Sequence, residues 1–234
     1  MLVIDIETAS DNLDAGYEAY KLATMTTSRT SSDKIREQFP ISPLTGKIIL
    51  IGLLTQRFPE LDEKEVNITK FQDGHIEYST AQIGLFPNGQ QLTEKRTLEI
   101  FWRIIQHVIP RESGLPLVSF NGKGFDLPYI LIRSLINQVD IPLAGKGAFT
   151  KWNAKYTTDF HVDMRSIFNN YDNYARGTLD EYAYRMGLTQ VMQGDSGADV
   201  PIWYNEGKFN QILQKNMLDV NKTFRLYEKI ERLL

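Results

Sequence analysis

Two carboxylates lie close together in an apolar segment near the start of the chain. Asp5 and Glu7 are two residues apart, so in a β-strand their side chains point to the same face of the sheet. Two carboxylates on one face repel each other and are costly to bury, so such a pair usually has a cation nearby. The pair indicates either a site for a hard divalent cation or an edge strand whose acids meet solvent.

Two further acids lie where an active site could use them. Asp126 follows a short predicted strand and the turn Asn121–Gly124, and it precedes a helix with Pro128 in its first turn. Such a strand-to-helix junction is where α/β proteins build sites, although an aspartate there also serves as a helix N-cap. Asp219 lies on the last predicted helix, where acids are usually solvated. Taken singly, each residue favours a structural interpretation.

The four carboxylates in this order resemble the DEDD superfamily of 3′–5′ exonucleases, which have a ribonuclease H-like fold. Val-Ile-Asp-Ile-Glu-Thr, which contains Asp5, is similar to the first motif of that superfamily. Ser-Phe-Asn-Gly-Lys-Gly-Phe-Asp-Leu-Pro, which contains Asp126, is similar to the second. Residues 219–223 follow the Asp-Val-x-x-Thr pattern of the proofreading domains of family B DNA polymerases and their stand-alone relatives. The resemblance covers nearly the whole chain.

The resemblance implies that two Mg²⁺ or Mn²⁺ ions clamp the scissile phosphate. One ion would help to generate hydroxide and the other would stabilise the leaving 3′ oxygen. Hard cations take oxygen ligands, which explains the use of carboxylates. Asp5 would bridge both ions, with Glu7 and Asp219 completing the inner set. Asp126 would act mainly through water.

The same resemblance implies a nucleic-acid interface beside the carboxylates. Asn121 and Phe125 correspond to positions near the terminal nucleotide, and Phe125 could stack or wedge against it. The alternatives are an Asx-type turn and a core aromatic. Thr8 and Lys123 are assigned to the same interface. A nearby loop with interleaved basic and aromatic residues could bind a single nucleic-acid strand or simply be solvated. The loop residues in question are Lys146, Lys151, Trp152, Lys155 and Tyr156, and Arg165 lies close by in the sequence.

One position departs from the family pattern. The superfamily usually carries a Tyr or His four residues before the final Asp, on the same helix face, where it orients or activates the attacking water. Here that position is Lys215. Lys215 could replace the usual residue as a neutral amine or a donor to water, or activity could persist slowly because the metals do most of the work. The site could also bind without cleaving, and Lys215 could be a solvated helix lysine.

Composition excludes several other kinds of site. The chain has no cysteine, which removes thiol nucleophiles, disulfides and cysteine-bearing zinc sites. Its three histidines, at 75, 107 and 161, are too far apart for a two-histidine helical metal site. A formal net charge of −3 weakens the case for tight nonspecific duplex binding, but not for a protein that meets phosphate through metal ions.

No segment is typical of a membrane or secretory protein. The start Met-Leu-Val-Ile-Asp-Ile-Glu lacks a basic region and carries acids where a signal peptide is apolar. The longest apolar run, 48–54, is far shorter than the ~20 residues of a membrane helix. We therefore expect a cytoplasmic location and no membrane partner.

The elements that must position these residues alternate between strands and helices. Strands are expected at 2–6, 47–56, 66–72, 115–120 and 160–164. Helices are expected at 93–108, 127–138, 178–186 and 209–234. A short helix capped by Ser32 or Asp33 would end at Pro40, 82–91 would be a loop, and Asp163 would cap the next helix. This order predicts a single α/β domain over 1–234, with a central mixed sheet flanked by helices.

The resemblance to the DEDD superfamily implies a 3′–5′ exonuclease that acts on single-stranded or frayed DNA 3′ ends and releases nucleoside 5′-monophosphates. One alternative is a catalytically silent nucleic-acid-binding or scaffold module of a replication or repair assembly. Another is an exoribonuclease, since the sequence does not distinguish DNA from RNA. Metal-dependent hydrolysis separates the first two, and a comparison of substrates separates the third.

Overall fold

The computed structural model describes residues 1–26, 30–109, 116–142, 151–171, 177–188 and 196–234. The strands are β1 Leu2–Ser10, β2 Gly46–Thr55, β3 Val66–Asp73, β4 Ile76–Ile83, β5 Leu117–Ser119 and β6 His161–Asp163. The helices are α1 Ala15–Met25, α2 Ser32–Arg36, α3 Glu94–Val108, α4 Asp126–Ile136, α5 Met164–Phe168, α6 Leu179–Arg185, α7 Val200–Asn205 and α8 Phe209–Ile230. Short 3₁₀ helices span Phe39–Ile41 and Glu231–Leu233.

The strands form one mixed sheet in the order β3-β4-β2-β1-β5-β6. β1 pairs antiparallel with β2 and parallel with β5, and β6 extends the parallel half. The register between β1 and β2 shifts after Glu7, which faces Leu50, because Thr8 faces Ile48. The extra residue, Ile49, makes a bulge beside Glu7, and bulges of this kind redirect neighbouring side chains.

The two faces of the sheet carry different helices. The even-numbered residues at the start of β1 are buried in a cluster with α3 and α4. Val3 packs on the opposite face against Val220 and Phe224 of α8. Because side chains alternate along a strand, Asp5 and Glu7 point to the same face as Val3 and therefore toward α8. This placement confirms that the two acids share one face.

The predicted α/β architecture is confirmed, and most predicted elements lie within a few residues of the observed ones. Three elements were not predicted: strand β4 and helices α1 and α7. β4 carries buried polar side chains at Ser79, Thr80 and Gln82, so its sequence does not look like a central strand. Helix α1 has no buried residue and hence no apolar stripe to reveal it. The expected loop at 82–91 was wrong at its start, because β4 continues to Ile83.

The predicted cap and end of the short helix were also wrong. Ser31, one residue earlier than expected, accepts a hydrogen bond from the Lys34 N–H and caps α2. Pro40 does not end that helix but lies in the following 3₁₀ helix, where its fixed φ is compatible with the first turn. In the described ranges, no helix is both long enough and apolar enough to cross a bilayer.

Candidate active site

Three of the four predicted carboxylates converge between the sheet and helix α8. Asp5 and Glu7 extend from β1, and Asp219 extends from α8. Each offers an oxygen, and these oxygens lie within 4.8 Å of one another. A donor set made only of oxygen suits Mg²⁺ or Mn²⁺ rather than a soft metal. These residues fit a hard divalent cation, and we refer to them as the carboxylate cluster.

Asp126 lies beside the carboxylate cluster but outside it. Its Oδ1 accepts a hydrogen bond from the Ile6 N–H at 3.0 Å. The neighbouring strand β5 ends at Ser119, so β1 has no strand partner on that edge at Ile6. The N-cap position of α4 is Phe125, so Asp126 does not have the alternative role of helix cap: its carboxylate turns to the sheet edge instead. Burial raises the pKa of Asp126 to about 7 against the opposing effect of the Ile6 hydrogen bond.

Burial and the neighbouring negative charges disfavour the charged forms of Asp5 and Glu7. Burial raises the pKa of Asp5 well above its ordinary value, and the charges of Glu7, Asp126 and Asp219 raise it further. Burial also raises the pKa of Glu7 to about 7, although Lys215 opposes this shift. A bound divalent cation would reverse the balance and favour the ionised carboxylates.

Lys215 points into the cluster. Its Nζ donates to Glu7 Oε1 at 3.1 Å and to Asp219 Oδ2 at 2.7 Å. Burial lowers the pKa of Lys215, but the charges of Glu7, Asp219 and Asp5 outweigh that effect, so its pKa lies above the ordinary value. The idea of a solvated helix lysine was therefore wrong, because the side chain is only 12% exposed. In this structure Lys215 is a paired ammonium, not a neutral amine.

An amide network that the sequence analysis missed holds Asp5 in place. Asn216 Nδ2 donates to Asp5 Oδ2 at 2.8 Å. Gln82 Nε2 donates in turn to Asn216 Oδ1 at 3.2 Å and to the Leu213 carbonyl at 2.8 Å. Asn216 could have been found from its position three residues before Asp219 on one helix face. Gln82 gives no local signal because its partners are distant in sequence.

A glycine makes room for that network. A Cβ atom at Gly52 of β2 would lie 2.1 Å from Asn216 Oδ1. Gly52 faces Asp5 in the register of β1 and β2, so α8 approaches the sheet closely where the cluster is built. The absence of a side chain is therefore a requirement of the site and not of a turn.

A second lysine holds Asp219 from the other side. Lys222 Nζ donates to Asp219 Oδ1 at 3.2 Å and also contacts Asp180 of α6. The Lys222 side chain is 7% exposed. Sequence analysis missed this pair, although the spacing of three residues from Asp219 places both on one helix face.

Asp163 confirms its predicted role as a helix cap and has a second role. Its carboxylate accepts from the backbone N–H groups of Arg165 and Ser166 at the start of α5. It also accepts from the N–H groups of Asn121 at 2.8 Å and Lys123 at 3.1 Å. One buried carboxylate therefore fixes the turn that leads to Asp126.

His161 is held inside the fold by hydrogen bonds at both ring nitrogens. Its Nδ1 donates to the Trp152 carbonyl at 2.9 Å, so Nε2 accepts from the Ser119 hydroxyl at 2.7 Å. Burial lowers the pKa of His161 to about 4, so the ring is neutral.

The residues assigned to nucleic-acid contact have different surroundings. Asn121 adopts φ 70°, and its Oδ1 accepts from Arg165 Nη1 at 3.0 Å. Lys123 Nζ donates to two backbone carbonyls, those of Ala154 at 2.7 Å and Thr157 at 2.8 Å. Phe125 packs against Tyr129 and the core, and Thr8 is buried. The structure brings only Asn121 and Lys123 to an open pocket.

That pocket has a volume of about 330 Å³. We call it the turn pocket; it is lined by Asn121, Lys123, Gly124, Asn153, Lys155, Arg165, Ser166, Asn169 and Tyr171. The exposed Tyr156 contacts Tyr171 at its rim, with ring centroids 5.3 Å apart. Trp152 is buried and stacked on Trp102, so this residue fits neither alternative, contact with a nucleic-acid strand or exposure to solvent. Lys146 lies outside the described residues.

Comparisons with known proteins relate most of the chain to one protein family. Residues 58–234 match the family described as "Predicted 3′-5′ exonuclease related to the exonuclease domain of PolB". This range contains Asp126 and Asp219, whereas Asp5 and Glu7 precede it and are brought to Asp219 by the fold. The chain is 30% identical over 118 residues to DNA polymerase 1 of Saccharolobus solfataricus, covering 47% of this chain and 13% of that polymerase.

A solved structure shows the same fold. The family B DNA polymerase from the hyperthermophilic archaeon Pyrobaculum calidifontis superposes with a TM-score of 0.58 at 17% identity. The match covers 98% of this chain and 24% of that polymerase, and it confirms the predicted ribonuclease H-like fold. From the match over 58–234, the chain belongs to the family of predicted 3′–5′ exonucleases related to the exonuclease domain of PolB.

Proposed function

We propose that this protein is a divalent-metal-dependent 3′–5′ exonuclease that acts on single-stranded or frayed DNA 3′ ends and releases nucleoside 5′-monophosphates. The observation that carries the proposal is the convergence of oxygens from Asp5, Glu7 and Asp219 within 4.8 Å. Membership in the exonuclease family gives that cluster its chemical context.

Asp5, Glu7 and Asp219 would hold the metal ions, and Asp126 would support the site through water. When bound, two Mg²⁺ or Mn²⁺ ions would supply a hydroxide nucleophile and stabilise the leaving 3′ oxygen. The chain's own contribution is orientation. Asn216 holds one oxygen of Asp5, and Lys222 holds one oxygen of Asp219. Both carboxylates are thereby fixed in the metal-free protein, as hydrogen-bonded ligands generally are.

We place the substrate strand in the turn pocket, next to the turn that carries Asp126. None of the described residues lining this pocket is acidic, and Lys155 and Arg165 are available to phosphate. Tyr156 and Tyr171 provide ring surfaces for stacking.

Substitution of either cation of the turn pocket should weaken binding of a single strand. For Lys155→Gln and Arg165→Gln we expect the slope of log K against log salt to fall by about 0.7 for each lost phosphate contact. Fluorescence anisotropy of a labelled oligonucleotide in EDTA measures this without cleavage. The exposed Lys64→Gln serves as the control. Unchanged affinity and slope in both pocket variants would place the strand elsewhere.

The proposed activity is tested with 5′-labelled single-stranded DNA in Mn²⁺, Mg²⁺ or EDTA. We expect a ladder that shortens from the 3′ end with either metal and no cleavage in EDTA. Binding without cleavage under every condition would favour the silent nucleic-acid-binding or scaffold module instead. Faster cleavage of a matched RNA would favour an exoribonuclease, since a protein distinguishes RNA from DNA through the 2′-OH. The single domain and cytoplasmic location stay predictions.

A further inference from the structure

We propose that Lys215 is a built-in counter-cation that competes with divalent metal for Glu7 and Asp219, so that full metal loading requires its ammonium to leave the cluster. The inference rests on the proposed metal-dependent function and deepens it. Lys215 occupies the position where the resemblance leads us to expect a Tyr or His, and its displacement would be a step in metal loading.

The first argument is that Lys215 uses the atoms that a metal would use. Its Nζ lies 3.1 Å from Glu7 Oε1 and 2.7 Å from Asp219 Oδ2. These two residues supply two of the three carboxylates that converge within 4.8 Å. A divalent ion bound to the same carboxylates would lie close to the ammonium and repel it.

The second argument is that each oxygen of Asp219 is already held by a lysine. Lys215 contacts its Oδ2, and Lys222 contacts its Oδ1 at 3.2 Å. Lys222 also pairs with Asp180 of α6, which anchors it away from the cluster. Lys215 is bonded instead to two members of the cluster itself. Of these two cations, Lys215 is therefore the one that a metal ion would displace.

The third argument is that Lys215 has a route outward. Its side chain keeps 12% exposure, whereas that of Glu7 is 5% exposed. Lysine carries its charge on a flexible four-carbon stem, so the ammonium can move to solvent while the stem stays packed. The lysine can then neutralise the cluster in the absence of metal and leave when metal arrives.

The test is Mn²⁺ binding to the full chain, measured by isothermal titration calorimetry without nucleic acid. Removal of a unit positive charge about 4 Å from the ion should tighten Mn²⁺ binding by Lys215→Met at least about tenfold. The exposed Lys229 lies on the same helix, and Lys229→Met should bind as the wild type does.

Thermal unfolding provides a second readout that does not depend on activity. In EDTA, Lys215→Met leaves Glu7 and Asp219 without their shared cation, so its Tm should fall below that of the wild type. Saturating Mn²⁺ should raise the Tm of Lys215→Met more than that of the wild type. If Lys215→Met does not fold, Lys215→Tyr tests the same point, because tyrosine is neutral and can still donate to a carboxylate.

The outcomes separate this inference from the proposed function. Suppose that the wild type binds Mn²⁺ and hydrolyses DNA, but both neutral variants bind Mn²⁺ no more tightly than the wild type. That result would contradict the proposed competition and show that Lys215 supports the metal site. No Mn²⁺ binding by the wild type or by either variant would contradict the metal-dependent function itself. Tighter binding and a larger metal-induced rise in Tm, absent from Lys229→Met, are the expected results.

Discussion

Asp5→Asn is expected to lower 3′–5′ hydrolysis at least about 100-fold while stabilising the metal-free protein. Substitution of a group that only orients a metal ligand typically lowers metal affinity or activity by about 10–100-fold, and Asp5 is itself a proposed ligand. Asparagine keeps the volume of the side chain and can still accept from Asn216 through its carbonyl oxygen. The loss of activity should therefore come from the lost charge and not from a collapsed site.

The gain in stability follows from the electrostatics of the cluster. Burial and the charges of Glu7, Asp126 and Asp219 raise the pKa of Asp5 in the folded protein. A carboxyl whose pKa is raised by folding destabilises the folded state once pH exceeds its unfolded pKa of about 3.9, because the unfolded chain ionises more easily. At pH 7 a neutral Asn should add stability on the order of 1 kcal/mol.

Hydrolysis assays and urea unfolding in EDTA measure the two effects of Asp5→Asn on one preparation. Glu63→Gln, which removes an exposed charge, should change neither. Hydrolysis near the wild-type rate would exclude Asp5 as a metal ligand. A large loss of stability in Asp5→Asn would show that the negative charge of Asp5 stabilises the fold, which would contradict the destabilisation expected from burying that charge.

Gly52→Ala should destabilise the protein and weaken its metal binding, although it adds only one methyl group. The new Cβ would lie 2.1 Å from Asn216 Oδ1, and Asn216 is fully buried and hydrogen-bonded at both ends. Either α8 moves from the sheet or Asn216 loses its contact with Asp5. Overpacking of this kind costs about 1–3 kcal/mol.

Urea unfolding and Mn²⁺ titration measure the two effects of Gly52→Ala. Gly197→Ala is the matched control, because a Cβ there meets open space and the backbone φ is not left-handed. Asn216→Ser shortens the obstructing side chain, so the double variant should regain stability relative to Gly52→Ala but not metal affinity. Wild-type behaviour of Gly52→Ala would show that α8 can withdraw at no cost.

Several features of the site could be predicted from sequence because they depend on local spacing. The i, i+2 spacing of Asp5 and Glu7 places both on one face of any strand. Lys215 and Asp219 are four residues apart and share one face of any helix, as the hydrogen bond between them confirms. The predicted ribonuclease H-like fold is confirmed by the structural comparison. The substrate, the metals and the role of each site residue stay predictions.

Other features depend on contacts between distant segments. Asp126 looked like a helix cap, but the end of β5 leaves the Ile6 N–H available to its carboxylate. Trp152 looked like a stacking surface, but Trp102 of α3 buries it. Gln82 carried no signal at all, because its function is to hold an amide 134 residues away.

Sequence alone determined which residue types are present and which face of its own element each one occupies, since strand and helix periodicity are local properties. Only the tertiary structure decided which of those faces meet. The close approach of α8 to β2 at Gly52 brings Asn216 to Asp5 and places the charge of Lys215 between Glu7 and Asp219. Packing between segments that are more than 100 residues apart fixes that approach, so no local pattern contains it.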